Sequence, residues 1–314
     1  MSFDTVPPEA HPSITHDAVE ALLASQLPDL ARLPLGERFD GWDCAMFRLG
    51  GGLAVRLPRT EAAVRFLLAE TLWVPQLGLG WDFPHPEFVA AGEPGEGYPW
   101  PWAVVTWLPG LTALEVPLLA SEGAAVGRAI AEVHVVAPED APFNDEQSIP
   151  LAARDAKTRE RIARVAGLGG PALNGHRGER LDADAALALW EAGLEAEGAA
   201  ASAGVVVDAV WSHADFHGGN VLSVDGRFGG IVDWGSMAAC DPAVDLGFMY
   251  TLMPGEGVEA ALAAYGEATG RMEDALLARV RAVAVNKCVG VALSDRPLPQ
   301  AMAWRAFQAL GVVK

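Results

Sequence analysis

Residues 211–247 read WSHADFHGGNVLSVDGRFGGIVDWGSMAACDPAVDLG, and this stretch decides how the rest of the chain is understood. Short strand-like runs (VWSHADF, NVLSV and FGGIVDW) alternate in it with glycine turns. Asn220 follows Asp215 by five positions, and Asp233 follows Asn220 by 13. Gly218 and Gly219 allow the backbone to turn back, so that Asp215 and Asn220 address one point. A polar hairpin would also use Asp and Asn at its turns. Turns alone do not require His213, Asp215 and Asn220 in that order, followed by two apolar residues and Asp233-Trp234-Gly235.

The same order and spacing serve phosphoryl transfer to a hydroxyl: H-x-D, an Asn five positions later, then a metal-binding Asp at a strand turn. A carboxylate must orient the attacking hydroxyl and take its proton, a role that Asp215 would serve. Magnesium prefers hard oxygen donors, which Asn220 and Asp233 supply. His213 braces the loop; His217 either meets substrate or fills the turn. Other chemistries fit less well. His213 and His217 are four apart, but Ala214 replaces the glutamate of a zinc-hydrolase helix, and glycines follow. No G-x-S-x-G, no G-x-x-x-x-G-K-[ST] and no G-x-G-x-x-G occurs.

The segment resembles the aminoglycoside phosphotransferase superfamily, which also holds macrolide and metabolite kinases. The likeness continues in GWDCAMFRLGGGLAVRLPR at 41–59 and VVTWLPG at 104–110. It implies an α+β, protein-kinase-like fold of two lobes. Residues 1–107 would form a nucleotide-binding lobe with a small antiparallel sheet, and 108–314 a larger helical lobe for catalysis and substrate. It also implies Mg²⁺, ATP or GTP as phosphate donor, and a small-molecule acceptor such as an aminoglycoside or macrolide. Arg56 stands where the family carries a phosphate-contacting lysine, with Glu70 as its partner 14 positions on. All three lysines (Lys157, Lys287 and Lys314) lie in the second half, so the replacement is real. Arginine grips phosphate with a different geometry from lysine. The backbone of Trp107 and Leu108 would meet the purine edge, and Gly41–Cys44 would turn over the phosphates. Asp241 and Asp245 would brace the catalytic loop. A competing reading is a non-catalytic relative that binds nucleotide or a partner; Asp215, Asn220, Asp233 and Glu70 speak against it, and Arg56 speaks for it.

Outward from these motifs, Thr15 caps a helix with Val19, Leu22, Leu23 and Leu27 on one face. Phe39–Leu49 and Leu53–Leu57 read as two strands about a triple-glycine turn, with Arg56 on the face opposite Val55 and Leu57. Thr60 caps the one helix that packs on this sheet, with Val64, Leu67, Leu68, Thr71 and Leu72 at helical spacing. Strands near 87–91 and 102–108 follow. Helices are predicted near 117–136, 150–166, 182–201, 257–269, 272–293 and 299–311. Asp182, Asp184, Glu191, Glu195 and Glu197 are acids that a polycationic acceptor would need, or else the solvated side of their helix.

The chain has 314 residues and a net charge of −19, which disfavours nucleic acid and anionic membrane as partners. Residues 1–13 read as a loose leader without a basic start or an apolar run, unlike a signal peptide. Three cysteines without C-x-x-C spacing suit a reducing cytoplasm better than a disulfide framework.

Overall fold

The computed structural model describes residues 8–168, 179–203 and 209–314. Residues 1–7 of the expected leader therefore lie outside the described residues. The chain divides into two compact units. The N-terminal unit runs to Pro109 and also takes in Ile231–Ser236; the C-terminal unit holds Gly110–Gly230 and Met237–Lys314.

In the N-terminal unit, α1 (His16–Gln26) starts at Thr15, whose hydroxyl accepts the Ala18 N–H at 3.2 Å. Five strands follow: β1 (Leu35–Asp40), β2 (Cys44–Leu49), β3 (Leu53–Pro58), then, after α2 (Val64–Leu77), β4 (Phe88–Gly92) and β5 (Trp102–Thr106). They form one sheet in the order β1-β2-β3-β5-β4, antiparallel at every junction. The run expected as a single strand from Phe39 to Leu49 is two strands. The Gly41 N–H donates to the Cys44 carbonyl at 2.9 Å, which closes a turn and folds β1 back onto β2.

One face of the sheet carries Phe47, Leu49, Val55, Leu57 and Trp102, packed with Val19, Leu22 and Leu23 of α1. The other face of β3 presents Arg56 to Glu70 of α2. Two helices therefore serve the sheet, where one was expected. Thr60 makes no capping bond, because a 3₁₀ turn at Glu61–Ala63 stands between it and α2. The buried side of α2 is Leu67, Glu70 and Val74, while Leu68 and Leu72 are 49% and 56% exposed. The buried ion pair with Arg56 fixes that rotation: Glu70 must face inward, and the apolar residues on either side of it cannot all follow.

Ile231–Ser236 joins this unit through Trp234, which has no exposed surface. Its ring stacks on Trp81 with centroids 4.3 Å apart and planes at 24°. Its indole N–H donates to the Ile231 carbonyl at 3.2 Å. Gly235 follows because α2 passes so close that a Cβ there would lie 2.9 Å from Phe66 Cβ.

The C-terminal unit is mostly helical. In chain order it holds β6 (Leu111–Thr112), α3 (Gly123–Val133), α4 (Asp155–Leu168), α5 (Ala183–Ser202), β7 (Val210–Ser212), β8 (Val221–Val224) and β9 (Arg227–Ile231). Then come β10 (Ala238–Cys240), α6 (Ala243–Phe248), α7 (Gly255–Thr269), α8 (Asp274–Val291) and α9 (Pro297–Leu310). The strands make two small sheets, β6-β8-β9 and β10-β7. At two and three residues, β6 and β10 are too short to leave an alternating pattern in sequence. Helix α3 begins later than expected, after a 3₁₀ turn at Ala120–Glu122. Helix α8 is the spine: α4, α5, α6 and α9 all pack on it, and it buries Val280, Val283, Val285 and Val289. Among the described residues, no helix is long and apolar enough to cross a membrane.

Replacing Gly235 by Ala would force a methyl group into α2. Its expected effect is a loss of about 1–3 kcal/mol, typical of overpacking. Gly51→Ala is the control, since a Cβ there meets nothing within 4 Å. Urea midpoints of the two variants check this: the first should fall clearly, the second should stay close to wild type.

Candidate active site

Two clusters of polar side chains carry the candidate residues, one in each unit. In the C-terminal unit, β7 delivers the chain to His213, and the loop His213–Asn220 leads into β8. Ala214 takes φ +63°, a left-handed conformation that a residue with a Cβ rarely adopts. It is held there by Asp245 on α6, which has no exposed surface. The Asp245 carboxylate accepts the His213 N–H at 2.7 Å and the Ala214 N–H at 2.9 Å. His134 Nε2 lies 3.3 Å from Asp245 Oδ2, and His134 Nδ1 lies 3.0 Å from the Tyr265 hydroxyl.

The loop then closes on itself. The Asp215 N–H donates to His213 Nδ1 at 3.3 Å, so His213 does brace the turn. The His217 N–H donates to the Asp215 carbonyl at 2.8 Å, and the Asn220 N–H to the His217 carbonyl at 2.9 Å. Asn220 Nδ2 donates to the Asp215 carbonyl at 2.9 Å and to its Oδ2 at 3.2 Å. The Gly219 N–H donates to His217 Nδ1 at 2.9 Å, which leaves the ring proton of neutral His217 on Nε2. That atom sits 3.5 Å from Asp215 Oδ2.

Burial works against a charge on Asp215, while His217 beside it is foremost among the groups that hold the carboxyl well below its usual range. Asp215 is thus an ionised carboxylate at neutral pH, suited to orienting a hydroxyl. Asp215 and His217 form part of the wall of a cavity of 330 Å³, together with Gln147, Arg154, Phe248 and Lys287. Burial and the nearby Arg154 guanidinium push the Lys287 ammonium down to about 7.

In the N-terminal unit, Arg56 bonds Glu70 through Nη1 and Asp233 Oδ1 through Nη2, the latter at 3.2 Å. Arg56 and Glu70 are only 6% and 4% exposed, which makes this a buried pair. Burial opposes the charge of Arg56, yet Glu70 and Asp233 keep it firmly protonated. The planar fork explains why arginine works here: its two Nη atoms reach two carboxylates at once. Asp233 takes φ +64°, the third non-glycine residue of the motif in this region after Ala214 and Asp225.

The Trp107 N–H donates to the Gly52 carbonyl at 2.8 Å, so the sheet already uses it; the ring lies beneath the Arg48 guanidinium, 4.4 Å from carbon to centroid. Leu108 follows, partly buried. The Gly41–Cys44 turn is gripped by Arg59, whose Nη1 donates to the Gly41 carbonyl at 2.6 Å.

Each of the two expected metal ligands keeps an oxygen that these bonds do not use. Asn220 uses its amide nitrogen on Asp215, which leaves its amide oxygen; Asp233 gives only Oδ1 to Arg56. Among the described residues, no cluster of three or more His, Cys, Asp or Glu could hold a metal by itself.

Of the two acids expected to brace the loop, Asp245 does so. Asp241 instead accepts Arg279 Nε at 2.7 Å and the Ala243 N–H at 2.9 Å at the start of α6. Sequence reasoning missed His134, and it missed Arg154 and Lys287 on the cavity wall. A signal for the last existed: lysine is so rare in this chain that a lone buried one invites a question.

Asp245→Ala would leave two buried N–H groups and His134 without their acceptor. The expected loss is about 2–4 kcal/mol, read from urea unfolding. Asp241→Ala, which removes a partly exposed carboxylate, should be milder.

Residues 37–283 match the family described as phosphotransferase enzyme family, APH. Among solved structures, macrolide 2'-phosphotransferase MphH from Brachybacterium faecium aligns with a TM-score of 0.57 and 22% identity, over 93% of this chain and 98% of that one. Aminoglycoside 2'-phosphotransferase-IIIa, solved with GDP, aligns with a TM-score of 0.58 and 15% identity, over 93% and 97%. Aminoglycoside phosphotransferase APH(3'')-Id from Streptomyces rimosus gives a TM-score of 0.52 and 20% identity, over 87% and 98%. No curated protein matches the sequence. The fold is the kinase-like one of these structures, and the family match covers well over half of the chain. The chain therefore belongs to the APH phosphotransferase family and is a small-molecule kinase.

Proposed function

We propose that this enzyme transfers the γ-phosphate of ATP or GTP to a hydroxyl of a small molecule, with Mg²⁺. The observation that carries the reading is Asp215: a buried, ionised carboxylate in the wall of a cavity of 330 Å³. In this reading the cavity takes the acceptor, and Asp215 orients its hydroxyl and receives its proton. His213 and Asp245 keep the loop in shape. The N-terminal unit is the nucleotide-binding part. Arg56, set by Glu70, offers positive charge to the phosphates, and the Leu108 N–H and Trp107 carbonyl meet the purine edge. Mg²⁺, held by Asn220 and Asp233, would neutralise developing charge on the phosphates.

A nucleotide donor is supported by related structures that carry GDP, ADP or ATP. Their names give aminoglycosides and macrolides as acceptors, and likeness of fold makes these the first candidates to test. Identity of 22% or less leaves the acceptor open to the chemistry of this chain's own cavity.

Thermal-shift measurements test the donor half. Mg²⁺–ATP or Mg²⁺–GTP should raise the melting temperature of the wild type, and EDTA or Asp233→Asn should reduce the rise. No rise with either nucleotide at millimolar concentration would defeat the reading. Asp215→Asn tests the other half: nucleotide should still bind, while turnover falls by about 100- to 10,000-fold. Unchanged turnover would remove Asp215 from its role.

A further inference from the structure

The cavity beside Asp215 is basic, in a chain with nearly two acids for each base. Its charged lining is Arg154, Lys157, Arg161 and Lys287 against Asp145, Glu146 and Asp215. Asp145, Glu146 and Lys157 are exposed; the remaining charged wall is the buried Arg154 and the half-buried Arg161 and Lys287, against Asp215 alone. Arg154 stands just before α4, and Lys157 and Arg161 lie on it, at spacings that share one helix face. Lys287 comes from α8, which α4 packs against, and Asn286 Nδ2 ties the two helices by donating to Thr158 Oγ1 at 2.7 Å.

The pairing of these cations is selective. Arg159 and Arg164, on other faces of α4, are matched with Asp155, Glu191 and Glu160. Arg154, Lys157, Arg161 and Lys287 form no ion pair among the described residues. Arg154 is 7% exposed; its Nη2 donates to the Gln147 and Ile149 carbonyls, but its Nε and Nη1 are buried with no hydrogen-bond partner. Such orphaned donors on a buried cation call for an acceptor. The Lys287 ammonium bonds only the Gln147 side-chain oxygen and sits 5.3 Å from the Phe248 ring centre. Arg161 lies against the bare backbone of α8, where a Cβ on Gly290 would come within 2.9 Å of its Nη1.

Three of the five acids that a polycationic acceptor would need are occupied elsewhere. Asp182 caps α5 and meets Lys314, Glu191 meets Arg159, and Glu197 accepts the Leu151 and Ala152 N–H groups. None of the five acids at 182–197 lines the cavity.

Resting on the kinase reading above, we propose that the acceptor is a hydroxylated anion, its carboxylate or phosphate gripped by Arg154, Arg161 and Lys287 while its hydroxyl meets Asp215. The acceptor oxygen bonds the γ-phosphorus as the bond from that phosphorus to the β–γ bridging oxygen breaks. The hydroxyl proton passes to Asp215, and the products are a phosphate ester and a nucleoside diphosphate. The depressed Lys287 agrees with the same occupant: burial first, and then the Arg154 guanidinium, disfavour its charge, and a bound anion would favour it.

The full chain is tested with four probes at 10 mM scale: gluconate, glucose 6-phosphate, glucose and kanamycin. Melting temperatures are read without nucleotide, and diphosphate release is read with Mg²⁺–ATP and Mg²⁺–GTP. Gluconate or glucose 6-phosphate should raise the melting temperature, and the stronger of the two distinguishes a carboxylate site from a phosphate site. Arg161→Glu and, independently, Lys287→Gln should abolish that rise. Where transfer is seen, both variants should lower the ratio of anionic to neutral turnover by about tenfold or more. A rise that survives in both variants, no rise with either anion, or preferred turnover of glucose or kanamycin would overturn the proposal. Absence of any magnesium–nucleotide shift would instead sink the kinase reading beneath it.

Discussion

The two oxygens of Asp245 accept two consecutive backbone N–H groups, and the active loop depends on that pair of bonds. A loop that must place a carboxylate and an amide side by side needs a sharp reversal. Ala214 makes it at φ +63°, where a Cβ is strained by roughly 1–2 kcal/mol. Two charge-assisted hydrogen bonds from a fully buried carboxylate outweigh that strain. Asp245 is itself anchored through His134 to Tyr265 on α7. The chain of contacts therefore runs from the helical core to the loop that carries Asp215, and the position of that carboxylate is a property of the packed unit rather than of the loop.

The two polar clusters solve opposite problems. Arg56 is a buried cation matched by two acids, Glu70 and Asp233, one on each Nη atom. Arg154 and Lys287 are cations deep in the other unit with hydrogen bonds to neutral oxygens and no acid matched to them. Burying charge without an opposite charge is costly. Evolution removes such groups from cores unless something else completes them, so the contrast points to a visiting ligand in the second cluster.

Asp233 reaches Arg56 because its neighbours in sequence are built into the N-terminal unit. Trp234 stacks on Trp81 and is sealed from solvent, and Gly235 lets α2 approach. The break between units falls between Gly230 and Ile231, within a five-residue strand. The Asp233-Trp234-Gly235 motif is thus a packing motif, and its tryptophan and glycine are as much a part of it as its aspartate.

Much of this was legible in the sequence. His213, Asp215 and Asn220 come together as their spacing implies, because geometry within one loop is set by the number of intervening residues. The antiparallel sheet and most of the helices follow from apolar periodicity, and the Arg56–Glu70 pair from strand alternation and a family likeness. What failed did so where distant groups compete. The face of α2 was misjudged because a buried salt bridge overrode its leucines, and the turn at Gly41 because one backbone bond divides an otherwise strand-like run. Asp241 and Asp245 look alike in sequence, yet only one meets the loop. The cavity lay beyond sequence altogether: its cations come from positions as far apart as Arg154 and Lys287, and only the packing of α4 on α8 makes them one wall. Local spacing fixes chemistry within a loop, whereas charge gathered from separate helices exists only once those helices are packed.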